Sequence, residues 1–170
     1  MGRLVWITGL PGSGKTTLGF ALVEKLRMLG EIVIHLDGDQ LRSAIKIPIG
    51  YDLNSRKLLA RSYQSLSKII LEQNVSVVVT TVSMFHEIHS TNRILFQNYY
   101  EIFLDVDLES RILSDREILY SHSKNVPGTS QEVEPPKNAD LTLRIDKFLG
   151  RQKWLDQVIS LLESEDKYDN

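Results

Sequence analysis

A three-layer α/β/α sandwich on a parallel sheet is the fold class that this 170-residue chain predicts. Three observations predict it. Short β-branched runs alternate with longer helical patterns, the runs are nearly continuous in apolar residues as strands buried on both faces require, and the first run opens into a glycine-rich loop followed directly by a helix. The runs are Leu4 to Thr8, Ile32 to Leu36, Val75 to Thr81, Tyr99 to Leu104 and Leu141 to Ile145.

Between the first two runs, Thr17 to Leu29 reads as a helix that stops near Gly30. A longer helix is expected to start at a cap on Asn54, with Leu59, Tyr63, Leu66 and Ile70 forming one inward stripe and Arg56 and Arg61 using another face. Further helices are expected over 86–97, 108–122 and 150–163. Residues 123–138 are polar and proline-rich, long for a connection inside one domain, and read as part of a lid. The expected organisation is a single domain over 1–163, a lid over about 116–134 and a polar, frayed tail over 164–170, with no internal repeat.

Composition narrows the function classes. Twenty basic against twenty-two acidic residues leave a net charge of −2, so no global field favours nucleic acid or an anionic membrane. No cysteine is present, which excludes disulfides and thiolate metal sites. No run approaches the ~18 apolar residues of a membrane span, and the amino terminus enters a strand at once, with no room for a signal peptide. A cytoplasmic enzyme is the expectation.

The chemistry begins at Gly9-Leu10-Pro11-Gly12-Ser13-Gly14-Lys15-Thr16, a complete P-loop between a strand and a helix. Binding a triphosphate needs many donors in a small volume, and a loop with glycine at 9, 12 and 14 can turn its backbone N–H groups inward. Lys15 would reach the β- and γ-phosphates, Thr16 would hold Mg²⁺, Thr17 would complete the phosphate cradle, and the helix would point its positive end at the anion. The expected cofactors are ATP and Mg²⁺.

A second motif, His35-Leu36-Asp37-Gly38-Asp39-Gln40-Leu41-Arg42, begins as the second strand ends, where ligands collect in an open parallel sheet. Asp39 is favoured as acceptor of the proton of an attacking hydroxyl, and Asp37 as the metal-side or orienting residue. The structural alternative for Asp39 is a cap on the helix starting at Gln40. Arg42, one turn beyond Asp39, is placed to pair with an acceptor phosphate, the alternative being a solvated helix charge.

P-loop plus Leu36-Asp37-Gly38-Asp39-Gln40-Leu41-Arg42 resembles adenylylsulfate kinase, which phosphorylates the 3′-hydroxyl of adenosine 5′-phosphosulfate with Mg·ATP. The resemblance covers most of the chain. Gly50-Tyr51 is similar to the family's Gly-Phe, Arg56 to its acceptor-binding arginine, Ser83-Met84-Phe85 to its Ser-Pro-Tyr, Leu119-Tyr120 to its Leu-Tyr, and Val126-Pro127-Gly128 through Glu134-Pro135-Pro136 to its Phe-Thr-Gly to Tyr-Glu-x-Pro segment. It implies an acceptor site of Asp39, Arg42, Tyr51, Arg56, Ser83 and Val126. Ser83 either contacts a phosphate or caps the strand end. The resemblance also implies a small-molecule nucleotide partner, and a homodimer as an option, with the apolar residues of the second long helix serving either core or partner.

Departures from the pattern point to the acceptor. The family closes an adenine between two aromatic rings; here Tyr51 remains and the second position is Val126. Stacking is worth about 1–3 kcal/mol per base, so losing one face costs a purine roughly 5- to 150-fold. Leu59 replaces an asparagine and His86 an arginine, both removing polar contacts from the acceptor half. The lid's arginine and lysine have no direct equivalent, leaving Arg111 or Arg116 for the ATP side. Cytidine diphosphoramidate kinases of bacterial capsule modification resemble adenylylsulfate kinases yet act on a pyrimidine nucleotide, and a smaller base with an uncharged amide agrees with these changes. The conventional adenylylsulfate acceptor is the alternative, followed by a nucleotide-dependent switch protein and a shikimate-type kinase. His35, His86, His89 and His122 form no recognisable metal set, and Trp6 and Trp154 read as packing residues.

Overall fold

Strand β1 (Leu4–Gly9) is buried along its whole length and lies at the centre of a five-stranded sheet of order β2-β3-β1-β4-β5, with every pair parallel. The flanking strands are β2 (Val33–Asp37), β3 (Ser76–Thr81), β4 (Tyr99–Leu104) and β5 (Leu141–Leu143). The computed structural model describes residues 2–45, 50, 52–107, 133–144 and 152–166. The expected helix over 108–122 and most of the expected lid lie outside these residues.

Side chains alternate across a strand, so β1 supplies both layers of core. Val5 and Ile7 join Val78, Ile102 and Leu104 beneath α1 (Lys15–Met28) and α5 (Trp154–Asp166), which contribute Leu18, Leu22, Leu26, Trp154, Val158 and Leu162. Leu4 and Trp6 join Val77, Val79 and Tyr99 beneath α3 (Leu53–Leu71) and α4 (His86–Leu95). Trp6 and Trp154 are thus core residues of opposite layers. The short α2 (Gly38–Ala44) follows β2 directly.

Two local expectations are corrected. Asp52, not Asn54, caps α3, accepting from the Ser55 amide at 3.0 Å. On α3, Leu59 and Tyr63 are inward as expected, but Leu66 is exposed and Arg56 is buried on the same stripe as Leu59 and Ala60. A helix repeats every 3.6 residues, so 56, 59, 60, 63, 64 and 67 share one face and 66 turns off it. Arg61 is exposed and pairs with Glu87 at 2.9 Å. Helix α5 continues to Asp166, beyond the expected end at 163.

Polar groups pin α4 to the sheet. Gln64 donates to Asn92 Oδ1 at 2.7 Å, and Asn92 donates to the Tyr99 hydroxyl at 3.2 Å. The Glu101 carboxylate, 1 % exposed, is paired with His89 and with Arg93 at 3.0 Å. Arg93 also reaches Asp140 at 3.2 Å and the Asn138 carbonyl at 2.5 Å, tying the chain entering β5 to α4. Arg93→Ala leaves the buried Glu101 without its guanidinium, and is expected to cost about 2 kcal/mol, read as a lower melting temperature and urea midpoint; an unchanged midpoint refutes the role of this bridge.

Candidate active site

The sheet order reverses at β1, where α1 leads to one side of the sheet and α4 to the other, so the carboxyl ends of β1 and β3 open onto a crevice. The P-loop leaves β1 at this point. Gly12 and Gly14 have φ of 78° and 98°, left-handed values that a side chain resists. Gly14 is the residue before α1, and among the described residues no side chain caps the helix, so its first N–H groups are presented to the loop interior. Lys15 is buried, with its ammonium 2.8 Å from the Leu10 carbonyl, which also accepts from the Ser13 amide at 3.1 Å. The Ser13 hydroxyl is buried without a partner among the described residues. Thr17 is exposed, one residue beyond Thr16.

Asp37 joins the loop to the neighbouring strands. Its Oδ2 accepts from Thr16 Oγ1 and Thr80 Oγ1, both at 2.8 Å. Its Oδ1 accepts from the Asp39 and Gln40 amides at 3.1 and 3.2 Å, capping α2. The capping role offered for Asp39 therefore belongs to Asp37. The cap must precede the first helical residue, and that residue is Gly38 rather than Gln40. Burial alone would raise the Asp37 carboxyl, but the Thr80 and Thr16 hydroxyls and the Gln40 amide outweigh it and hold the pKa below the ordinary carboxylate value.

Asp39 stands in the first turn of α2, exposed. Tyr63 of α3 donates to the Gly38 carbonyl at 3.1 Å. Its phenol is pushed up by burial, with smaller effects from the charges of Arg42, Asp39 and Asp37. Arg42 donates to the Gly50 carbonyl at 2.8 Å. Arg56 lies with its guanidinium 5.1 Å from the Phe85 ring centre, with Lys57 at 5.6 Å. Burial, and then the charge of Arg42, lowers the Arg56 pKa.

Ser83 is buried, its hydroxyl 2.9 Å from Thr81 Oγ1 at the strand end. His86 opens α4, its amide donating to Glu134 Oε2 at 2.6 Å and its ring lying 2.9 Å from the Pro135 carbonyl. No metal-binding group of three His, Cys, Asp or Glu occurs among the described residues. Tyr51, Arg116 and Val126 lie outside them. Thr80 and Phe85 were not singled out as site residues from the sequence; the available signal was a hydroxyl at the end of an otherwise apolar run, Val77-Val78-Val79.

This geometry includes a phosphate loop at the carboxyl end of β1, and the family model described as adenylylsulphate kinase matches residues 1–144. The chain belongs to the adenylylsulfate kinase family. A cytidine diphosphoramidate kinase of Campylobacter jejuni is 40% identical over 145 residues, covering 82% of this chain and 84% of the relative. An adenylyl-sulfate kinase of Halothermothrix orenii is 30% identical over 171 residues, covering 96% and 91%. Among solved structures, the Mycobacterium tuberculosis APS kinase CysC in complex with AMPPNP and APS superposes with a TM-score of 0.86 at 27% identity, covering 95% of this chain and 98% of that one.

As a member of the adenylylsulfate kinase family the chain is an ATP-dependent kinase using Mg²⁺. Its residues fit that cofactor. Thr16 Oγ1 is a hard oxygen donor of the kind Mg²⁺ takes, Asp37 fits the orienting rather than the directly ligating role because its oxygens already accept from two hydroxyls and two amides, and the buried Ser13 hydroxyl has unused hydrogen-bonding capacity beside the loop. Among the described residues no helix is long and apolar enough to cross a membrane. Because the folded-state pKa of Asp37 is depressed, its stabilisation is complete above the unfolded carboxylate pKa and is lost as pH falls through the folded one. Asp37→Asn is therefore expected to melt lower than wild type at pH 7 and to show a flatter loss of melting temperature on acidification toward pH ~3; parallel curves would refute it.

Proposed function

We propose that this kinase transfers the γ-phosphoryl group of ATP to the ribose 3′-hydroxyl of a nucleotide 5′-anhydride, with cytidine diphosphoramidate as the acceptor. The observation that carries the acceptor assignment is the 40% identity to the Campylobacter jejuni cytidine diphosphoramidate kinase, against 28–32% for adenylyl-sulfate kinases matched over similar or longer spans. Two side chains support it. Leu59 is 3% exposed in the core beside Ala60 and Tyr63, and so offers no polar contact to a ligand. The His86 ring is engaged with the Pro135 carbonyl. The conventional adenylylsulfate acceptor is supported by the overall likeness to the Mycobacterium tuberculosis enzyme.

Bound Mg·ATP supplies an electrophilic γ-phosphorus and a leaving ADP. Lys15 neutralises charge on the β- and γ-oxygens, and Gly9 to Thr17 hold the phosphates, so the protein's work is positioning and charge stabilisation. Asp39 takes the proton of the attacking hydroxyl, while Asp37 and Thr16 form the metal side. Arg42 and Arg56 hold the acceptor's own phosphate through their planar, charged forks. Tyr51 stacks on the base, Val126 packs its other face, and Ser83 stands at the acceptor end of β3. In this reading residues 1–163 act as one domain whose lid, about 116–134, brings Arg116 to ATP and excludes water.

Side-by-side turnover with cytidine diphosphoramidate and adenylylsulfate tests the acceptor: kcat/KM is expected to favour the former by about tenfold or more, and a preference for adenylylsulfate overturns the assignment. Asp39→Asn is expected to lower transfer by about 100-fold or more with ATP affinity nearly unchanged, and near-normal turnover removes it from the proton-accepting role.

A further inference from the structure

His35 and Asp37 are two residues apart in β2, so both side chains face α1. Thr80 is the β3 partner of Asp37 and faces the same way. His35 Nε2 is 3.0 Å from Thr80 Oγ1, which donates to Asp37 Oδ2 at 2.8 Å. A hydroxyl has one proton. With that proton on the Asp37 bond, Thr80 can only accept from His35, which fixes the imidazole as its neutral Nε2–H tautomer.

The opposite nitrogen agrees. Nδ1 is buried and has no hydrogen-bond partner among the described residues, so it is a bare lone pair. A second ring proton would be stranded there without an acceptor. The helix carrying Thr16 is packed directly on this pair. At Gly19 a Cβ would fall inside contact distance of Thr80 Cγ2 and 2.7 Å from His35 Nε2. Phe20 meets the imidazole edge-on, with ring centres 4.8 Å apart.

We propose that His35 and Thr80 are positioning residues for the magnesium side of the phosphate loop. The imidazole directs the Thr80 proton onto Asp37, Asp37 Oδ2 then holds the Thr16 proton, and the Thr16 oxygen keeps its lone pairs for the metal. The alternative tautomer would turn the Thr80 proton toward His35 and strip Asp37 of one of its two hydroxyl donors. A chain of bonds of this kind strengthens cooperatively, so its far end is felt at Thr16. The inference rests on the use of Mg·ATP and not on which acceptor is phosphorylated.

The test is calorimetric binding of ADP to the full chain, with Mg²⁺ and with EDTA. Thr80→Val, isosteric without the hydroxyl, and His35→Phe, an aromatic ring without the donor, are each expected to weaken Mg·ADP binding about tenfold while metal-free ADP affinity stays within about twofold. The Mg²⁺ concentration for half-maximal turnover should rise while the acceptor KM does not move. His35→Gln, whose amide carries an N–H at similar reach, should restore the magnesium-dependent gain. An intact gain in Thr80→Val, or an equal loss with and without metal, would show that the pair merely packs and overturns the proposal. Thr80→Val preserves side-chain volume and carries the test even if His35→Phe does not fold.

Discussion

Everything at the nucleotide end converges on the Asp37 carboxylate. Strand β2 supplies it, α1 reaches it through Thr16, β3 through Thr80, and α2 starts on its other oxygen. A carboxylate has room for about four acceptor sites, and here two hydroxyls and two amides from three other elements take them. Moving any one of those elements leaves a buried donor or acceptor without its partner, which costs more than the bond contributes when made. The loop geometry is therefore locked from outside the loop. Its amides can face an anion because the elements around them are already satisfied by one another.

The surroundings of Arg56 are built on the opposite principle. Arg56 is carried inward on a stripe otherwise made of Leu59, Ala60 and Tyr63, and burial disfavours its charge. The Phe85 ring lies against its guanidinium, and Arg42 brings a second cation nearby. Burying a guanidinium carries a desolvation cost that its packing and its partners must offset. At Asp37 the hydrogen bonds outweigh the cost of burial, whereas at Arg56 burial still disfavours the charge.

The parallel sheet was legible because its signal is redundant. Each central strand is buried on both faces, so Leu4 to Thr8 and Val75 to Thr81 read as apolar runs in any register, and the observed strands differ only at their ends. The P-loop was legible because its chemistry is backbone chemistry, written in glycine spacing. Position within a helix was less so: Leu66 looked inward by its four- and three-residue steps, but the stripe is centred on 56, 60, 63 and 67. Placing Arg56 on a polar face followed hydropathy, and tertiary demand overrode it. Which carboxylate capped α2 turned on where the helix began, a one-residue question that spacing does not resolve. The Thr80 and His35 contacts depend on strand register between segments more than forty residues apart, information that no local pattern carries.

This contrast explains why one half of such a kinase can stay fixed while the other changes partner. The nucleotide half depends on main-chain geometry and on a carboxylate shared by four elements, so a single replacement there disturbs several segments at once. The acceptor half that we propose is assembled from side chains on α2, α3 and the start of α4, each resting on its own element. Leu59 fills core volume, and the His86 ring meets the Pro135 carbonyl beside Glu134, which caps α4. Substitutions of that sort alter what a bound nucleotide meets without touching the strand register. In the proposed function, acceptor identity is thus decided by a few replaceable side chains on a scaffold whose nucleotide end tolerates little change.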